Sequence, residues 1–76
     1  MTMGIYCIQI EKENYWCSYV GTSVNVIRRW KKHKTDLRSN YHVNMYLQNS
    51  WNKYGESSFE FHLLETVDDY EKLYEL

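Results

Sequence analysis

Two runs of β-forming residues, separated by four polar residues, open the chain and constrain most strongly what it can fold into. Gly4–Ile10 is rich in isoleucine and predicts a strand, and Tyr15–Val20 predicts a second one. With residues 11–14 as the loop, the two strands form an antiparallel hairpin. The register that follows places Tyr6 opposite Tyr19, so that both phenol rings lie on one face of the sheet.

The chain has two cysteines, and this register keeps them apart. Cys17 lies opposite Ile8, whereas Cys7 points to the other face, so we expect no disulfide between them. Two cysteines without a CxxC spacing are too few for a disulfide scaffold and do not predict a zinc site. A reducing, intracellular compartment is therefore the expected setting.

Two helices should follow the hairpin. The first has its N-cap at Ser23 and runs to about Thr35. The residues that gather on one side of its helical wheel, and so form the expected core stripe, are Val26, Ile27, Trp30 and Leu37. The second helix runs from about Val43 to Tyr54, with Gly55 as its C-terminal stop.

A third strand and a third helix complete the pattern. Ser58–Glu65 alternates apolar and polar residues and predicts a strand. Asp68–Glu71 is typical of a capping box and opens a helix that reaches Leu76 without a C-terminal cap. We therefore predict one α+β domain over residues 1–76: a small three-stranded antiparallel sheet flanked by three helices, in the order β-β-α-α-β-α, with the C-terminal helix truncated.

Charge is spread unevenly along the chain. A formal net charge of −1 excludes a polycation that holds nucleic acid by total charge alone. Five of the nine basic residues nevertheless lie within Arg28–Lys34, which makes this run a candidate phosphate-binding surface. No apolar run approaches the roughly 18 residues of a membrane span, so we expect no membrane partner.

Two side-chain pairs are candidates for chemistry. Tyr6 and Tyr19 are either aromatic neighbours packed on the core or two phenols that reach a shared polar site. Arg29 and His33 lie four residues apart along one edge of the core stripe. They are either part of a solvated basic face or a phosphate-binding guanidinium beside a group that moves protons near neutral pH.

Metal-binding signals are weaker. His33, His42 and His62 lack a metal-ligand spacing, so no zinc site is predicted. Glu71 and Glu75 lie four apart on the third helix, as a solvated acidic face or as a place for magnesium beside a substrate phosphate. The sequence has no Gly-rich phosphate loop, and we expect no small-molecule cofactor.

An ordered set of short motifs covers nearly the whole chain. It consists of Gly4-Ile5-Tyr6, Tyr19-Val20-Gly21, Arg29-Trp30 with His33, Asn44 with Leu47-Gln48, Trp51–Glu56, and the strand from Phe59 to Glu65. With these motifs the chain resembles the GIY-YIG nuclease superfamily, and most closely the catalytic domains of phage and intron homing endonucleases. The resemblance implies a bacterial or phage-type host and a cytoplasmic location.

The resemblance also implies an activity: attack of water on a DNA phosphodiester bond, with Mg²⁺ or Mn²⁺ as cofactor. Tyr6 would orient or polarise the site, and Tyr19 would act as the general base or position the water. Arg29 would stabilise the charge that develops on the scissile phosphate. His33 would assist proton transfer or position the phosphate.

Further site residues follow from the basic run and from the resemblance. Arg28, Lys32 and Lys34 are the expected additional DNA contacts. The family's metal-binding glutamate would fall just past Leu76, which leaves Glu75 as the expected metal ligand. Either the native protein continues beyond this point or its metal ligand differs.

Two other functions fit the same sequence. A non-catalytic nucleic-acid-binding module of the same fold would use the basic run without a metal. A protein-interaction domain would instead expose the apolar residues at the start of the second helix, Met45 and Tyr46. Neither the target sequence nor the oligomeric state follows from the residues.

Overall fold

The computed structural model describes residues 2–13 and 16–69. Its elements are β1 (Gly4–Ile10), β2 (Tyr19–Ser23), α1 (Val26–Arg38), α2 (Met45–Tyr54), one 3-10 turn (Glu56–Ser58) and β3 (Phe59–Thr66). The three strands form one antiparallel sheet in the order β2-β1-β3. The predicted α+β fold is confirmed, with two helices within the described part of the chain.

The predicted hairpin is present, but its register is different. Tyr6 lies opposite Gly21, and Tyr19 lies opposite Ile8. The reason is a longer connection, because β2 begins at Tyr19 rather than at Tyr15. The shift amounts to two residues, which preserves the alternation of side chains, so Tyr6 and Tyr19 still share a face with ring centroids 6.3 Å apart.

The prediction about the cysteines is wrong. Cys7 and Cys17 are joined by a disulfide, and their Cα atoms are 5.8 Å apart. Cys17 precedes β2, so the alternation of a strand does not decide where its side chain points. Residues 16 and 17 lie over the face of the sheet that carries Cys7, where Trp16 stacks on His62. The cross-link therefore holds the segment before Tyr19 against the central strand.

Helix α1 begins later than predicted because a different residue caps it. Asn25 is the N-cap, and its side chain accepts a hydrogen bond from the Arg28 N–H at 3.1 Å. Ser23 acts one step earlier, where its hydroxyl accepts from the Asn25 N–H at 3.0 Å. The helix then continues to Arg38 instead of ending near Thr35.

The buried stripe of α1 is narrower than predicted. Val26, His33 and Leu37 are the buried residues of the helix, and Trp30 packs partly buried against the core. Ile27, one position further round the helix from Val26, is 48% exposed. The stripe that contacts the sheet therefore leaves Ile27 outside, because each residue rotates by about 100° around the axis.

Helix α2 follows its prediction at the C-terminal end and differs at the start. Asn44 caps it, so Val43 lies outside the helix. Gly55 ends it with φ at 89°, a conformation that glycine adopts without steric cost. Asp68 and Asp69, where a third helix was expected to start, lie in a bend, and the rest of that helix lies outside the described residues.

The core lies between one face of the sheet and the two helices. Its buried members are Tyr6, Ile8, Ile10, Val26, Leu37, Leu47, Trp51 and Phe59. Strand β3 adds the aromatic residues opposite the C-terminal half of β1, with Phe59 opposite Ile10 and Phe61 opposite Ile8. Across residues 2–13 and 16–69, no helix has the length and apolar character needed to cross a membrane.

Candidate active site

The Tyr6 side chain extends across strand β2 because the residue that it passes over, Gly21, has no side chain. The side chain is 2% exposed, at the centre of β1. A Cβ placed on Gly21 would lie 2.5 Å from both the Cζ and the Oη atoms of Tyr6. Only the missing side chain of Gly21 therefore lets the phenol lie over β2 with its hydroxyl directed at α1.

The hydroxyl of Tyr6 meets His33, one of the buried residues of α1. The Tyr6 Oη atom lies 2.7 Å from His33 Nε2, and His33 is 6% exposed. Burial, followed by the charges of His42 and Arg29, lowers the pKa of His33 from 6.5 to about 4. The imidazole is therefore neutral at neutral pH.

His42 extends this contact into a chain of hydrogen bonds. Its Nε2 atom lies 2.7 Å from His33 Nδ1, and burial lowers the pKa of His42 as well. The backbone N–H of His42 donates to Gln48 Oε1 at 3.0 Å, which ties the main chain at His42 to α2. The sequence motifs did not predict a role for His42, because its contact with His33 is made across the turn between the two helices.

A backbone group sets the direction of these hydrogen bonds. The Asn44 N–H donates to His42 Nδ1 at 3.0 Å, so a neutral His42 carries its proton on Nε2 and donates it to His33 Nδ1. His33 then carries its own proton on Nε2 and donates it to the Tyr6 oxygen. The Tyr6 O–H is left to donate towards Tyr19.

Tyr6 is built to remain protonated. Burial, then the neighbouring Tyr19, raise the pKa of Tyr6 to about 12, against the opposing charge of Arg29. Tyr6 therefore acts as a hydrogen-bond donor and not as a base. Tyr19, which is half-buried with its ring centroid 5.5 Å from that of His33, is the phenol that solvent can reach.

These groups open onto a cleft of about 390 Å³, called here the Arg29 cleft. Its lining comes from β2, α1 and the turn before α2: Tyr19, Arg29, Lys32, His33, Asp36, His42, Val43 and Asn44. Arg29 is exposed to solvent. A guanidinium, a phenol and neutral imidazoles around one cleft can bind a phosphate group and handle a proton beside it.

The three expected DNA contacts are not all in one place. Arg28 and Lys32 line a second hollow beside the Arg29 cleft, together with Ser23, Val24, Asn25 and Arg29, and we call it the Arg28 groove. Lys34 lies elsewhere, with its Nζ atom 5.2 Å from the centroid of Phe61 on β3. Lys32 therefore lines both hollows, Arg28 lines the Arg28 groove, and Lys34 lies apart from them.

The described residues do not supply a complete set of ligands for a divalent cation. Among them no group of three or more His, Cys, Asp or Glu side chains could hold a metal ion. The carboxylate that lines the Arg29 cleft is that of Asp36, and it pairs with Lys32 at 3.1 Å. Glu75, the expected metal ligand, lies outside the described residues.

Comparison with known proteins identifies relatives that match nearly the whole of this chain. A family model described as GIY-YIG catalytic domain matches residues 2–76. Intron-associated endonuclease 1 of Enterobacteria phage T4 is 40% identical over 72 residues, which are 95% of this chain and 28% of that protein. The chain thus spans less than a third of the length of this curated relative.

Solved structures agree with this similarity. The catalytic domain of homing endonuclease I-TevI superimposes with a TM-score of 0.81 at 34% identity, covering 96% of this chain and 77% of that one. A mutant form of the catalytic domain of intron endonuclease I-TevI gives a TM-score of 0.83 at 36% identity, covering 99% and 75%.

Proposed function

The chain belongs to the GIY-YIG catalytic-domain family, and from this premise we propose that it hydrolyses phosphodiester bonds of DNA. The observation that carries the proposal is the Arg29 cleft, where Arg29 and Tyr19 face the same space beside the Tyr6–His33–His42 chain. DNA is the proposed partner because the relatives are named as endonucleases of the homing and intron-associated kinds.

In the proposed mechanism Arg29 holds the scissile phosphate. Its guanidinium is exposed within the cleft and can donate two parallel hydrogen bonds to phosphate oxygens. As water attacks, negative charge builds on those oxygens, and a fixed cation stabilises this transition state more than the ground state.

Tyr19 takes the proton from the attacking water. The Tyr6 O–H can donate to the Tyr19 oxygen, and Arg29 lines the same cleft, so a hydrogen-bond donor and a positive charge lie beside the atom that takes up the proton. The proton of water passes to Tyr19 Oη, which releases its own proton to solvent, as the oxygen of water bonds to phosphorus. The leaving oxygen departs with the electron pair of the broken bond and takes a proton from solvent. His33 and His42 keep the Tyr6 hydroxyl pointing at Tyr19 and remain neutral.

We also propose a divalent cation, Mg²⁺ or Mn²⁺, with Glu75 as its protein ligand. When bound, such an ion neutralises charge on phosphate oxygens. The carboxylate that lines the Arg29 cleft, that of Asp36, is already paired with Lys32. A cleft with so few ligands for a metal ion also favours a second candidate function, a nucleic-acid-binding module of the same fold that does not cut. The two functions differ in whether strand scission occurs.

We further propose that the chain acts inside the cell of a bacterial or phage-type host. Because cytosolic thiols are kept reduced, Cys7 and Cys17 would there lie close together as thiols and form their bond upon oxidation.

The test is nicking of supercoiled plasmid by this chain with Mg²⁺, with Mn²⁺ and with a chelator. Nicking that requires either metal and disappears with the chelator is the expected result. Binding to the plasmid without any nicking would instead favour the non-catalytic module. In a Glu75→Gln variant we expect nicking to fall at least about 100-fold, since a carboxylate that holds a catalytic cation is lost.

A further inference from the structure

Large apolar side chains are exposed on the turn between α1 and α2 and at the start of α2. Tyr41 is 81% exposed, Val43 94%, Met45 62% and Tyr46 42%. We call these four residues the apolar rim. Exposure of Met45 and Tyr46 was the feature expected of a protein-interaction domain. An exposed apolar patch of this kind indicates a binding surface.

The backbone beneath the rim is held in place. The Tyr41 N–H donates to the Asp36 carbonyl at 2.9 Å, and the N–H groups of His42 and Asn44 are both bound to side chains. His42 between them is 6% exposed. The turn thus buries its histidine and presents the neighbouring side chains to solvent as a fixed surface rather than as a flexible loop.

The rim is continuous with the Arg29 cleft. Val43 lines that cleft together with Arg29 and Lys32. A DNA phosphate bound by Arg29 would therefore bring its adjacent sugar and base next to Val43, with Tyr41 two residues away on the same turn. The Arg28 groove continues the positive surface on the other side, so the charge around the rim suits a nucleic acid.

We propose that the apolar rim is a second DNA contact, in which Val43 and Tyr41 pack against the sugars and bases next to the scissile phosphate. The inference rests on the proposed function, whose cleft supplies the anchored phosphate. Apolar side chains inserted at a base step and aromatic rings stacked on bases are established ways of binding DNA. Such a contact would partly unstack the neighbouring base pairs and so make the scissile phosphate more accessible to the cleft.

The test measures binding of a short fluorescent duplex, with Ca²⁺ in place of Mg²⁺, over a range of salt concentrations. The rim variant is the double substitution Tyr41→Ser with Val43→Ser. Val20→Ser is the matched control, because Val20 is 59% exposed on strand β2, opposite Cys7 and away from the cleft. Arg28→Ala reports a charged contact.

The rim variant should bind on the order of tenfold more weakly, with the same slope of log K against log salt as the unaltered chain. Arg28→Ala should instead reduce that slope by about one, and Val20→Ser should change neither quantity. Thermal unfolding of each variant checks that the fold is retained.

Unchanged affinity of the rim variant would overturn the proposal and favour a protein partner for the rim. A changed salt slope in the rim variant would also overturn it, because the effect would then be electrostatic. If the unaltered chain itself does not bind the duplex at low salt, the proposed function fails as well. The two failures can therefore be told apart.

Discussion

Gly21 and His42 decide how the tyrosines of the candidate site are arranged. Gly21 leaves room for the Tyr6 ring over β2, and His42 fixes which nitrogen of His33 faces the Tyr6 hydroxyl. Neither residue is itself an obvious acid or base of the reaction. Their positions explain why a buried phenol and a buried imidazole meet at 2.7 Å.

Replacing Gly21 with alanine tests this arrangement. The new Cβ would overlap the Tyr6 phenol at 2.5 Å, so the ring must move and its hydrogen bond to His33 must weaken. We expect nicking to fall at least about tenfold, and the free energy of unfolding to fall by about 1–3 kcal/mol. Nicking at the unaltered rate by this variant would contradict the role given to the Tyr6 hydroxyl.

The lowered pKa of His33 predicts how stability depends on pH. In the unfolded chain His33 takes up a proton near pH 6.5, but in the folded chain only near pH 4. Between these values the unfolded state binds more protons, so the folded state loses stability as the pH falls from 6.5 to 4, by up to about 3 kcal/mol.

Urea unfolding at several pH values measures this loss. A His33→Gln variant, which cannot take up a proton at this position, should lose less stability over the same range. An equal loss in both proteins would show that His33 is not the buried neutral group described here.

Residue roles were predictable to different degrees. Arg29 and His33 could be paired from their spacing, and Tyr6 and Tyr19 from the alternation of strands, which survives a two-residue shift of register. The contact between His33 and His42 could not be found in this way. It depends on how the turn between two helices closes, and no periodicity describes that turn.

At the scale of elements, the connection between β1 and β2 differs most from expectation. The β-forming residues from Tyr15 onwards suggested a strand that begins there, but β2 begins at Tyr19 and the disulfide draws Cys17 onto Cys7. A disulfide over a short loop favours this folded-back path, whereas strand propensity describes only local preference. The helices were placed within about three residues at each end, and the best-predicted end is that of α2 at Gly55, because a C-terminal glycine acts locally.

The disulfide predicts how many cysteine thiols react with an alkylating reagent before and after reduction. After mild oxidation, the unfolded protein should react with no alkylating reagent at cysteine, and after reduction it should take up two equivalents, one each at Cys7 and Cys17. Reduction should lower the free energy of unfolding by about 3 kcal/mol, because the bond closes a loop of about ten residues in the unfolded chain. Two reactive thiols that persist after oxidation would contradict the bond.

At the scale of the molecule, the sheet carries helices on one face and the disulfide-linked connection on the other. The Arg29 cleft lies on the helical side, where β2, α1 and the turn before α2 meet. A chain with a net charge of −1 can still present a positive cleft there, because its basic residues cluster on α1. The fold thus gathers positive charge at the cleft although the chain as a whole is nearly neutral.

The rate of plasmid nicking by an Arg29→Ala variant, measured in a single turnover at saturating protein, tests the central claim most directly. Lys31→Ala is the control, since it removes the same charge from an exposed position of α1 that lines neither the Arg29 cleft nor the Arg28 groove. We expect Arg29→Ala to slow nicking by about 100-fold or more, and Lys31→Ala to leave the rate nearly unchanged. Equal rates for Arg29→Ala and the unaltered chain would contradict the assignment of this cleft as the active site.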